Sequence, residues 1–122
     1  MEDKFCELVL ESALDKKAIK TIVMDISQVN GMADYMMICT GNSTTHVNAI
    51  ANGILKSVQD GGHKVFNTNG ASEGQWVLLD LGNVIVHIMQ ESVRNFYTLE
   101  KLWNNGKIIY LDEEYALQIK EA

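Results

Sequence analysis

Cysteine is scarce in this sequence. Cys6 and Cys39 are the two that it holds, and they do not stand at metal-ligand spacing, so they are read as reduced thiols rather than as a disulfide or half of a zinc site. A basic cluster is also missing. The formal net charge is −6 and the pI is about 4.9, and no group of Lys and Arg is placed to displace counterions from a phosphate backbone. That argues against direct, phosphate-driven nucleic-acid binding. An acidic chain is better suited to a basic protein partner, where complementary charge speeds encounter. Long apolar runs are absent too: those at residues 35–39 and 84–89 are far too short to span a bilayer. The opening Met-Glu-Asp-Lys places acids where a secretory leader would be basic, and no apolar segment follows. The expected location is therefore cytoplasmic, without membrane insertion. Low-complexity tracts and internal repeats are lacking, so the 122 residues read as one domain, large enough to bury a core without metal or disulfide staples. Its expected extent is 1–106, followed by a tail, 107–122, to which no role is assigned.

What is present alternates between two periodicities. Residues 4–17 lack Gly and Pro and are rich in good helix formers, with Phe5, Leu8, Val9 and Ala13 on one helical face. Residues 19–26 read as a strand that puts Ile22, Met24 and Ile26 on one side. Residues 35–40 form a nearly continuous apolar strand, as expected of one buried on both faces. Gly41-Asn42-Ser43 breaks it, and Ser43 or Thr44 is placed to cap the next helix. There Val47, Ile50, Ala51, Ile54, Leu55 and Val58 recur at spacings of three and four, until Gly61-Gly62 stops the helix. A short strand at 64–66 and a loop through Asn69-Gly70 lead to a strand at 76–81. A hairpin turn over Asp80-Leu81-Gly82-Asn83 leads into 84–89, and a last helix is expected over 91–103. The tail has a short apolar run and then an acidic, helix-like segment. The order α-β-β-α-β-β-β-α implies an α/β fold, a mixed sheet flanked by helices.

Few of these residues point to chemistry. Gly41-Asn42-Ser43 precedes a helix N-terminus, where backbone N–H groups receive phosphates in some folds. The following segment has no Asp-x-Asp or Asp-x-Glu pair to hold catalytic metal ions, and the loop lacks the Gly-Lys-Ser/Thr ending of a P-loop. It is therefore read as a strand–helix turn with a Ser cap. A divergent nucleotide-binding or transferase site at Gly41–His46 is the alternative. His46 and His87 have no second ligand at metal spacing. His87, between Val86 and Ile88, is expected to be a hydrogen-bonded sheet residue, and His46 to pair with Asp34. No Gly-x-Ser-x-Gly elbow occurs, and Cys39 reads as core. Phe96 and Leu102 also read as core. Trp76 and Tyr97 stay open between core anchors and interface hot spots, for which aromatics and a nearby Arg such as Arg94 are favoured.

Three ordered blocks resemble the ribosomal silencing factor family (RsfS, or Iojap). The first is Asp34-Tyr35-Met36-Met37-Ile38-Cys39-Thr40-Gly41-Asn42-Ser43-Thr44-Thr45-His46-Val47-Asn48-Ala49-Ile50-Ala51. The second runs from Trp76 through His87 and matches Trp-x-x-x-Asp-x-Gly-Asp-Val-x-Val-His, with Asn83 where the family usually has Asp. The third is Phe96-Tyr97-Thr98-Leu99-Glu100-Lys101-Leu102-Trp103. The resemblance implies a nucleotidyltransferase-like fold without catalytic carboxylates, and so no enzyme, no metal and no cofactor. It implies a translational repressor that binds large-subunit ribosomal protein fourteen at the subunit-joining face and sterically blocks the small subunit when nutrients are short. It also implies homodimers. The partner-binding residues it suggests here are Trp76, Asp80, Met89, Arg94, Tyr97 and Leu99.

Overall fold

The computed structural model describes residues 3–28, 33–70, 73–94 and 106–121. Among these, α1 (Lys4–Asp15) leads into β1 (Ile19–Asp25), β2 (Tyr35–Gly41) and α2 (Thr44–Asp60). Then follow β3 (Asn67–Asn69), β4 (Trp76–Asp80), β5 (Val84–Gln90), the short α3 (Glu91–Arg94), β6 (Lys107–Leu111) and α4 (Glu113–Glu121). The expected mixed sheet with flanking helices is present. It has six strands in the order β3-β4-β5-β2-β1-β6. Only the central β2–β5 pair is parallel; the other four pairings are antiparallel.

Each face of the sheet builds its own core. On one face, Met37 and Cys39 of β2, Val77 and Leu79 of β4, and Val86 and Ile88 of β5 meet α1 and α2. Helix α2 contributes Val47, Ile50, Ala51, Ile54 and Val58, all buried, as its periodicity required. Helix α1 is turned slightly from the expected face: Cys6, Val9, Leu10 and Ala13 are buried, whereas Phe5 and Leu8 are only partly so. The opposite face gathers Ile22, Met24, Ile26, Ile38 and Met89. Two pleat-related sets of alternate residues (period two) thus fill two separate cores.

The helix ends follow local rules. Ser43 caps α2, its Oγ accepting from the His46 N–H at 3.1 Å. Asp3 caps α1 through a 2.8 Å bond from the Cys6 N–H. The expected strand at 64–66 lies instead at Asn67–Asn69, after the Phe66 N–H has bonded the Asp80 carbonyl at 2.9 Å. The β4–β5 hairpin forms as expected, with Asp80 Oδ1 accepting from the Gly82 N–H at 2.9 Å.

Of residues 107–122, set apart as a tail in the sequence, 107–111 supply β6 and 113–121 supply α4. β6 pairs with β1 at the sheet edge, Ile22 opposite Leu111 and Val23 opposite Tyr110. The Asp112 N–H bonds the Thr21 carbonyl at 3.0 Å, and Asp112 Oδ1 accepts from the Glu114 N–H at 2.9 Å at the start of α4. Tyr115 of α4 then lies against two cations, Arg94 at 5.0 Å and Lys20 at 5.9 Å from its ring centre. Lys20, at a φ of 50° beside the register shift in β1, also forms an ion pair with Glu91.

Asn83 has a visible reason to be an amide here. Its Nδ2 donates to Asp3 Oδ2 at 3.2 Å, joining the hairpin turn to the α1 cap. An Asn83→Asp variant replaces that bond with two facing carboxylates. It is expected to lose about 1 kcal/mol or less of stability in urea unfolding, since the pair is only half-buried. The loss should shrink as salt is raised.

A candidate partner-binding face

The strand registers place three of the expected site residues on one face, the side away from α1 and α2. Trp76 pairs with Met89, Leu78 with His87, and Asp80 with Ile85, so all six side chains share that face. Trp76 is 37% exposed at the margin of this face, where the second core thins out. Its indole Nε1–H donates to His87 Nδ1 at 3.0 Å, with ring centres 5.8 Å apart and planes tilted by 49°. Indole nitrogen is only a donor. His87 must therefore be neutral at Nδ1 and carry its ring proton on Nε2. Burial lowers the His87 pKa below its ordinary 6.5, which favours that neutral form. Trp76, Leu78 and His87 line a cleft of about 360 Å³ with Asn69, Gly70 and Glu73.

The backbone of the adjoining loop fixes where β4 begins. Gly70 has a φ of 85°, and a Cβ there would lie 2.1 Å from the Trp76 carbonyl oxygen. Its own carbonyl accepts from the Gly74 N–H at 3.0 Å. A Gly70→Ala substitution adds an unfavourable backbone region to a backbone clash. It should destabilise the fold by more than about 1 kcal/mol and shift the indole, read as a change in Trp76 fluorescence before unfolding. An unshifted spectrum would contradict the close approach.

The other expected residues are placed differently. Asp80 is half-buried, with one carboxylate oxygen committed to the Gly82 N–H. Met89 and Arg94 are each 4% exposed. Met89 fills the second core beneath the sheet surface. Arg94 donates from Nη1 to Thr40 Oγ1 at 3.1 Å and lies over Tyr115, so it is buried rather than displayed beside Trp76. Tyr97 and Leu99 lie outside the described residues, as do Phe96, Leu102 and most of the expected 91–103 helix. His87 was expected to be a hydrogen-bonded sheet residue, and it is. That its partner is the exposed indole had no local signal in the sequence.

Two backbone donors of the Gly41–His46 loop, those of Asn42 and His46, are used within it. His46 does not pair with Asp34. The Asn42 N–H bonds His46 Nδ1 at 2.9 Å, and His46 Nε2 reaches the Lys16 carbonyl at 2.8 Å, because the first turn of α2 folds the ring back toward the end of α1. The His46 N–H is taken by Ser43. A Cβ on Gly41 would lie 2.8 Å from Val47 Cγ2, so strand and helix pack closely here and only glycine fits. No cluster of three His, Cys, Asp or Glu side chains suited to a metal occurs among the described residues. Both thiols are pushed up to about 12, chiefly by burial, leaving them protonated and unreactive at neutral pH.

Among the described residues, this face presents an exposed aromatic anchored to His87. Comparison with known proteins supplies the context. A family model described as "Ribosomal silencing factor during starvation" matches residues 2–122. The chain belongs to that family. Ribosomal silencing factor RsfS of Bacillus subtilis is 40% identical over 98 residues, 80% of this chain and 83% of that protein. RsfS of Halalkalibacterium halodurans is 35% identical over 106 residues, 87% of this chain and 91% of that protein. A crystal structure of a Chromobacterium violaceum protein superimposes with a TM-score of 0.79 at 33% identity, covering 85% of this chain and 87% of the other. The family match takes in β6 and α4 as well as the three sequence blocks, and these relatives are named as silencing factors rather than as enzymes.

Proposed function

We propose that this protein is a non-enzymatic translational repressor of the cytoplasm. It docks on the large ribosomal subunit against ribosomal protein fourteen at the intersubunit face and sterically blocks subunit joining, above all under nutrient limitation. Membership of the silencing factor family is the observation that carries the ribosome. The Trp76 face and the net charge of −6 support the mode: an aromatic anchor for a protein partner, and an overall charge that favours a basic protein over RNA. Trp76, Asp80, Tyr97 and Leu99 are the residues assigned to direct contact. Met89 and Arg94 support that surface from beneath. The same family resemblance carries the further proposal of a homodimer.

Sedimentation with separated subunits tests the reading. The protein should travel with the large subunit alone, and adding the small subunit should yield fewer joined ribosomes than in its absence. Protein that stays at the top of the gradient under all conditions would end this proposal. The nucleotide alternative at Gly41–His46 has less support, because two of the loop's backbone donors, those of Asn42 and His46, are already taken.

A further inference from the structure

The exposed indole is tied by a hydrogen bond whose acceptor titrates. Trp76 Nε1 can only donate, and His87 Nδ1 accepts at 3.0 Å only while unprotonated. We propose that His87 is a positioning residue for docking: its neutral ring holds the Trp76 indole in the orientation that the partner meets, and protonation at Nδ1 releases it, so binding weakens in acid. The inference rests on the docking face described above and adds a regulatory property to it.

Proton uptake sets two N–H groups against each other at a donor–acceptor distance, and this hydrogen bond is lost. The groups around His87 do not prevent this. On β4 it faces Leu78 directly, with Asp80 farther along the same face; on β2 it faces Ile38. Among the described residues, Glu73 in the loop before β4 is the charged residue lining the shared cleft, and Arg94, bonded to Thr40 two residues beyond Ile38 on β2, is a cation on the same face. Burial is what lowers the titration of the ring below histidine's ordinary range. The contact is therefore intact at neutral pH and is lost on acidification.

The test pairs an internal readout with docking. The indole N–H resonance of Trp76, assigned with a Trp76→Phe variant, is followed in the full chain from about pH 8 to about pH 5, the range in which histidines change charge. Large-subunit binding is measured at the same pH values. His87→Asn places an amide oxygen near the position of Nδ1, keeping an acceptor that does not titrate, whereas His87→Leu removes it. Wild type should bind about tenfold more weakly at the acid end, the scale of one hydrogen bond, with the indole signal moving in step. His87→Asn should bind like neutral wild type and change less with pH, and His87→Leu should bind weakly throughout. Equal pH dependence in wild type and His87→Asn overturns the proposal even if His87→Leu fails to fold. Wild-type binding at neutral pH with that outcome leaves the repressor reading standing. No binding at any pH removes the repressor reading, and the positioning role falls with it.

Discussion

Replacing Arg94 by Ala should lower the unfolding free energy by about 2–4 kcal/mol, the range for emptying a large buried side chain. Replacing it by Met should cost less than about 1.5 kcal/mol. The contrast follows from what the guanidinium touches. Its Nη1 bonds Thr40 and its plane covers Tyr115, while Nη2 is buried with no partner among the described residues. The nearby carboxylate of Glu91 is taken by Lys20, in a pair that is partly open to solvent. Among the described residues no carboxylate pairs with the guanidinium, so volume against Tyr115 is expected to do most of the stabilising, which a similar apolar side chain can supply. Urea unfolding of the two variants decides the matter. Equal losses would show that the charge, not the packing, holds α4 to the sheet.

Trp76→Ala should weaken large-subunit binding by about 2 kcal/mol or more, roughly thirtyfold, the scale of an interface hot spot. The indole is 37% exposed and sits over the edge of a core that other residues fill, so stability should change far less than affinity. Trp76→Phe keeps an aromatic surface but loses the bond to His87, and it should fall between the two. Affinity unchanged in Trp76→Ala, with the protein still folded, would remove Trp76 from the contact surface.

Local patterns foretold much of this fold. The spacing of Val47, Ile50, Ile54 and Val58 defined α2, the unbroken apolar run of β2 announced a strand buried on both faces, and Ser43 caps as its position suggested. These features depend on neighbours a few residues away. What could not be read depends on distant ones. The run Lys107-Ile108-Ile109-Tyr110-Leu111 was visible as apolar, but its pairing with β1 is a tertiary fact with no local mark. Arg94 resembled an interface residue because its cover, Tyr115, comes from a later helix. His46 found the Lys16 carbonyl because α1 and α2 lie side by side, which the sequence does not state. At the candidate site, Trp76 and Asp80 were recognisable as residue types. Their shared face with Met89 and His87 became apparent only from the β4–β5 register.

The pairing of β6 with β1 has a consequence for how the chain acquires its shape. β1 is among the first elements in the sequence and β6 among the last, yet they are hydrogen-bonded neighbours. During synthesis, one edge of β1 must wait with open backbone groups until residues 107–111 arrive. Closing so long a loop is entropically costly and slow compared with forming α2 or the β4–β5 hairpin. Until those residues pair, the nascent protein displays a sticky strand edge along β1.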